Sequence, residues 1–203
     1  MIKSKKYFIY LLLIAFISCK AQTHLAAIND SFNNASAGTY FSDIENEMEK
    51  FVGTWQYIVG NESLTIVLQK KTMVPYKAFF EDLLVGEYEY ILNGTTVVNT
   101  LHLLNNSSIP VVEHNILGRR IVPNNAQPIC TDCSSSDRRF KLYFFDSERD
   151  YLRSVRITLQ YITNSSPSQL KVTIAPEDGG ILPYDVAPIE TRVPYGEYIM
   201  TKQ

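Results

Sequence analysis

The sequence predicts an all-β fold: a single antiparallel up-and-down barrel of about eight to ten strands with a short N-terminal helix, and a β-sandwich as the alternative. Three observations predict it. Apolar and polar residues alternate with period two in run after run beyond Gly53, turn residues separate those runs at short intervals, and helical periodicity is confined to one segment. At 45% apolar and 12% aromatic the chain can fill one core, and no internal repeat suggests a propeller or solenoid.

The first element is not part of the fold. Lys3, Lys5 and Lys6 precede an uncharged apolar run from Tyr7 to Ile17. That run is too short for a bilayer span, which needs about 20 residues. A charged start, a short apolar stretch and a small residue before the break are the layout of a secretory signal, so residues 1–18 are expected to be removed. The stretch from Lys20 to Tyr40, KAQTHLAAINDSFNNASAGTY, is rich in Ala, Asn and Ser without a sustained period and predicts a flexible tether over 19–41. The domain is then expected over 42–203. It begins with SDIENEMEKFV, where Ser42 as N-cap and Glu45 three residues on make a capping box. Ile44, Met48, Phe51 and Val52 fall on one helical face, predicting a short helix that ends at Gly53.

The strands follow. FVGTWQY opens the first, and in SLTIVLQ the apolar Leu64, Ile66 and Leu68 alternate with Thr65 and Val67. GEYEYIL and TTVVNTL flank Asn93-Gly94, the dipeptide that supplies positive φ at both centres of a type I′ turn, which predicts a hairpin. In GEYEYIL, Glu87 and Glu89 are expected on a solvated face opposite Tyr88 and Tyr90. Further strands are predicted at Val111 to Val122, Phe140 to Phe145, VRITLQYIT, Gln169 to Ala175 and Gly196 to Lys202. Gly60-Asn61, Asn105 to Ser108, Asn164 to Pro167 and Asp178-Gly179-Gly180 supply turns.

Two stretches resemble known families. FISCK resembles the lipobox of bacterial lipoproteins, which implies acylation of Cys19 and cleavage just before it. Lys20 is not the Asp that holds some lipoproteins in the inner membrane, and no acidic cluster follows, so the resemblance implies the periplasmic leaflet of the outer membrane. A short helix running into FVGTWQY resembles the opening of the calycin barrels, the lipocalins and fatty-acid-binding proteins, which begin with Gly-x-Trp. That resemblance implies a barrel floor built from Gly53 and Trp55 beneath a late-chain arginine, here Arg192, its cation over the indole. The late-strand Arg-x-Tyr that clamps a carboxylate in fatty-acid-binding proteins is missing, because Arg192 and Tyr195 are three apart. The chain is also similar to a group of bacterial lipoproteins sharing GTWQY, LTIVLQKK and LVGEYEY, a group with no activity to carry over.

Cys130 and Cys133 are the remaining cysteines. In an oxidising envelope they are expected to form a disulfide; a zinc site would need two more ligands, for which His102 and His114 are the candidates. The expectation is therefore no metal and no cofactor. Gly-x-Ser-x-Gly and His-Glu-x-x-His are both missing, so no catalytic residues are assigned and the protein is expected not to be an enzyme. Loss of the signal would take three lysines and no acid from a chain of net charge −2, which argues against nucleic acid as a partner.

What remains is a lipid-anchored envelope protein in one of two forms. The barrel either binds a small apolar or amphipathic ligand, or it is a filled scaffold that docks a partner. An interior cavity of roughly 300 Å³ or more separates the first from the second. Oligomeric state is not legible.

Overall fold

The computed structural model describes residues 24–177 and 187–203. The signal segment 1–18, Cys19 and the Asp178-Gly179-Gly180 turn lie outside the described residues. The strands are β1 (Leu25–Ala27), β2 (Tyr40–Ser42), β3 (Gly53–Val59), β4 (Glu62–Tyr76), β5 (Phe79–Leu92), β6 (Thr95–Asn99), β7 (Ile116–Val122), β8 (Arg139–Phe144), β9 (Val155–Ile162), β10 (Gln169–Pro176) and β11 (Gly196–Lys202). Eight of them, β3-β4-β5-β7-β8-β9-β10-β11, pair antiparallel in chain order. β11 returns to β3 and closes the barrel. This is the up-and-down topology that the alternating runs predict, not a sandwich.

The period-two alternation carries over directly. Leu64, Ile66 and Leu68 on β4, Ile157 and Leu159 on β9, and Leu170, Val172 and Ile174 on β10 all point into one core together with Phe140, Leu142 and Phe144 of β8. Asn93 and Gly94 take φ of 52° and 74°, and the hairpin they form joins β5 to β6. β6 lies off the ring, because the same edge of β5 is used three times: by β2 at Phe80 and Glu81, by β7 at Leu84 to Gly86, and by β6 at Glu89 to Leu92. With β4 along its whole other edge, β5 is the most buried strand of the sheet.

The helix predicted from Ser42 does not form. Asn46 has φ of 53°, and the Asp43 carboxylate accepts from the backbone N–H groups of Glu47 and Met48 at 2.8 and 3.0 Å, tying the chain into a tight turn. Only a three-residue 3₁₀ turn, Glu49–Phe51, remains. Met48 and Phe51 are still buried, whereas Ile44 points outward. The stretch expected to be a tether is, over its described part, structured. β1 and β2 run parallel to each other and to the start of β5, and Phe32 packs on Phe41 and Phe79 with ring centroids 4.6 and 5.3 Å apart.

The crowded seam between β4 and β5 tolerates no side chain at Gly86. A Cβ there would stand 2.6 Å from the Val67 carbonyl oxygen and 2.7 Å from Leu68 Cδ2. Gly86→Ala is therefore expected to destabilise the barrel by about 1–3 kcal/mol, the usual cost of forcing a packed backbone apart; urea unfolding followed by Trp55 emission reads it. A midpoint equal to that of the unmutated protein would show that the seam can open.

Candidate functional site

The structure brings Gly53 and Trp55 together on β3 and places Arg192 elsewhere. Trp55 is fully buried, its Nε1 donates to the Phe51 carbonyl at 2.7 Å, and Phe51 packs on Phe140 and Tyr161. Gly53 has φ of 130°, and the Lys202 stem crosses so close that a Cβ would meet its Cε at 2.8 Å. The cation over the indole is thus Lys202, with Nζ 5.4 Å from the ring centroid, and not Arg192. Arg192 is held by acids: its backbone N–H and Nε each donate to Asp146 at 2.8 Å, Nη2 lies 2.6 Å from the same carboxylate, and Nη1 reaches Glu148 at 2.6 Å. A guanidinium with two carboxylates in bidentate reach has no reason to leave them for an aromatic face.

The barrel interior is filled. Trp55, Leu64, Ile66, Tyr88, Phe140, Leu142, Phe144, Ile157, Leu159, Leu170, Val172, Ile174 and Met200 are all 0% accessible, so among the described residues side chains pack the interior closely. The tyrosines that enter the core place their hydroxyls at its margin. Tyr88 donates to the Phe145 carbonyl, Tyr198 to that of Pro194, and Tyr90 to Glu62.

Space lies instead on the outer face. A groove of about 540 Å³ runs between the 24–42 segment and the outer side of β7, β8 and β9. Phe32, Tyr76 and Leu83 line one wall; Arg119, Arg120, Lys141, Tyr143, Arg156 and Glu177 line the other. The pairing of β7 with β8 slips between Leu117 and Arg120, and that bulge brings both arginines into the groove. Gly118 permits it, since a Cβ there would lie 3.3 Å from Leu142 Cα.

The arginines and the lysine are held in defined places. Arg119 Nε donates to Glu81 at 2.7 Å while its guanidinium stacks over Phe32 and Phe41, 4.4 and 4.9 Å from the centroids. Arg156 sits 4.1 Å over Tyr143 and 3.1 Å from Glu177, which Lys141 also contacts. Arg120 is exposed, with no ion-pair partner among the described residues. Burial raises the Glu81 carboxyl above its usual range, against the opposing pull of Arg119. Burial pushes Glu177 the same way, but Lys141 and Arg156 outweigh it and hold that carboxyl low. The Lys141–Glu177–Arg156 trio also lines a second groove of about 590 Å³, reached from Gln127 and Pro128.

Other predicted residues serve the scaffold. Glu87 is not solvated: it is fully buried, within 2.8 Å of His114 Nδ1, and accepts from Asn115 Nδ2 at 2.7 Å. Cys130 and Cys133 are joined through their sulfurs with Cα atoms 5.5 Å apart. Sequence reasoning missed the groove because Arg119-Arg120 sits in the weakest alternating run and Phe32 in a stretch of low periodicity. The signal that could have found it was Gly118 beside two arginines inside a strand, the mark of a bulge.

A family model described as "Family of unknown function (DUF6705)" matches residues 2–203. The chain belongs to this family. No curated protein and no solved structure matches it.

The Arg192 site yields a stability test. Asp146 is buried, which pushes its carboxyl up, but Arg192 outweighs this and holds it below the usual range. A carboxyl with a depressed native pKa stabilises the fold fully above the unfolded-state value of about 3.9 and loses that contribution as pH falls through the lower native value. Asp146→Ala leaves the guanidinium with Glu148 alone and is expected to cost about 1–3 kcal/mol in urea unfolding at neutral pH. The gap from the unmutated protein should begin to narrow below about pH 4, where the unfolded carboxyl takes up its proton, and close as pH falls through the lower native value. A gap that stays constant on acidification would show that the pair contributes nothing.

Proposed function

We propose that this protein is a non-enzymatic binding module of the bacterial cell envelope, anchored through an acylated Cys19 in the periplasmic leaflet of the outer membrane. Its barrel is a packed scaffold, and recognition takes place in the outer groove. The observation that carries this reading is the contrast between the two candidate spaces: buried side chains pack the interior, whereas the outer face offers about 540 Å³. That favours the docking form over a ligand held inside the barrel.

The chemistry of the groove selects the partner. Arg119, Arg120, Lys141 and Arg156 stand against Asp30, Glu81 and Glu177, leaving one cation in excess, and Phe32, Tyr76 and Tyr143 supply flat apolar surface. An anionic group attached to an apolar body fits such a site: the charge goes to Arg120 and the body to the aromatic wall. The reading uses no metal and no cofactor, and the excess positive charge is too small and too local for nucleic acid.

Octanesulfonate, anionic at every working pH, is a suitable probe, with octyl glucoside as the uncharged control. Calorimetry is expected to show binding of the sulfonate only, weakened about tenfold by Arg120→Glu, the scale of one charge-assisted hydrogen bond. Trp55 emission should not move, because the indole lies in the filled core. Affinity should rise as pH falls toward the raised pKa of Glu81, because a neutral Glu81 releases Arg119 to the ligand. Unchanged binding by Arg120→Glu, or a saturable shift of Trp55 emission, would return the ligand to the barrel interior.

A further inference from the structure

We infer that the tip of the β4–β5 hairpin is a membrane-docking surface, which seats the barrel on the anionic face of the bilayer that carries its lipid anchor. The inference rests on the reading of Cys19 as the acylated residue. Its first support is the direction of the chain. Leu25 pairs in parallel with Tyr40, and Tyr40 in parallel with Phe80, so His24 stands level with the start of β5. The backbone therefore arrives at β1 from the end of the barrel where β4 turns into β5. Because residues 24–42 are built onto the sheet, the link from Cys19 to His24 is five residues and spans at most about 17 Å fully extended. An acyl group in the bilayer then holds the hairpin tip against the same surface.

The second support is what the tip presents. Lys70 is taken up by Asp43 and Glu49, but from Lys71 to Phe80 the sequence is KTMVPYKAFF, without an acid. Met73 and Tyr76 are 48% and 37% exposed, and Lys77 Nζ lies 5.3 Å over the Tyr76 ring. The exposure of Met73 is built in. It has φ of 55°, sits where the β4–β5 register slips, and its N–H donates to the buried Asp82 at 3.1 Å. An aromatic ring, a flexible apolar side chain and lysines with long stems are what the headgroup layer accepts. Each lysine near an anionic surface contributes about fivefold in partitioning. The opposite end, around Gly60-Asn61 and Asn93-Gly94, also exposes apolar side chains, Ile58, Val59 and Leu92, but no lysine lies beside them from Tyr57 to Glu62 or from Tyr90 to Thr95.

The test uses the full chain purified from membranes, with intact mass reporting acylation of Cys19. A fluorophore is placed at Met73→Cys or at Val59→Cys, and the protein is incorporated into phosphatidylglycerol vesicles that contain a lipid-borne quencher. A native Trp55 emission maximum verifies the fold of each variant. The expected result is loss of emission at position 73, none at position 59, and recovery at 73 when Lys71→Glu and Lys77→Glu are added. With Cys19 acylated, equal quenching at the two positions, or quenching at 59 alone, overturns the docking surface and leaves the anchor standing. If the mass shows Cys19 unmodified, the anchor reading fails by itself. Sedimentation of that unacylated chain with the same vesicles, lost on the double lysine reversal, then supports the tip, and failure to sediment overturns it.

Discussion

An eight-stranded sheet becomes a barrel only if its first and last strands meet, and here they meet around Trp55 and Lys202. The pairing itself is short, Gln56 with Thr201 and Trp55 with Lys202, extended by the Gln203 N–H to the Thr54 carbonyl at 3.0 Å. Side chains reinforce it. The open backbone of Gly53 lets the Lys202 stem cross β3, and the ammonium settles over the indole. A cation at an indole face contributes about 0.5–2 kcal/mol, which matters at a seam with so few ladder bonds. Closure also removes the free edges that eight strands would otherwise expose.

Closure at eight strands has a consequence for function. A barrel of that size has an interior just wide enough to be filled by side chains or to hold one small ligand. This chain fills it: phenylalanine at 140 and 144, tyrosine at 88 and 198 and tryptophan at 55 occupy the volume a ligand would need. Recognition is thereby displaced to the outside, where segments that are not part of the ring create relief on an otherwise smooth wall.

The ring was legible in the sequence and the relief was not, for a physical reason. Strands of a closed barrel bury one face continuously, so Leu64-Ile66-Leu68 and Val155-Ile157-Leu159 alternate cleanly, and Asn93-Gly94 marks the turn between two of them. The appended segments are held by single contacts that leave no period. Phe32 and Phe41 dock residues 24–42 from within a run of Ala, Asn and Ser, and two isolated aromatics do not show as a pattern. The capping box at Ser42 was a sound local signal overridden by Asp43, whose carboxylate gathers the N–H groups of Glu47 and Met48 into a turn instead. Arg192 was placed by analogy over Trp55, but its position is decided by Asp146, a carboxylate whose proximity only the fold reveals.

The appended segments share one device. Each of three is pinned by a buried ionisable side chain. Asp82 accepts from Tyr40, Ser42 and the backbone of Asp43 and Met73, holding β2 and the hairpin bulge. Glu87 binds His114 and Asn115, fixing the crossover before β7. Arg139 donates to the carbonyls of Pro123, Ala126 and Pro128 and fastens the loop that carries the disulfide. Burying a charge is costly unless its hydrogen bonds are met, so such groups contribute less to stability than to a unique arrangement of what they hold. Here the arrangement is the groove itself. The segment held through Asp82 supplies Phe32, the crossover held by Glu87 supplies Val112, and the loop held by Arg139 borders the second groove at Gln127 and Pro128. An apolar replacement at any of the three pins could keep the barrel closed while releasing one wall, which separates the residues that make the fold from those that make its outer site.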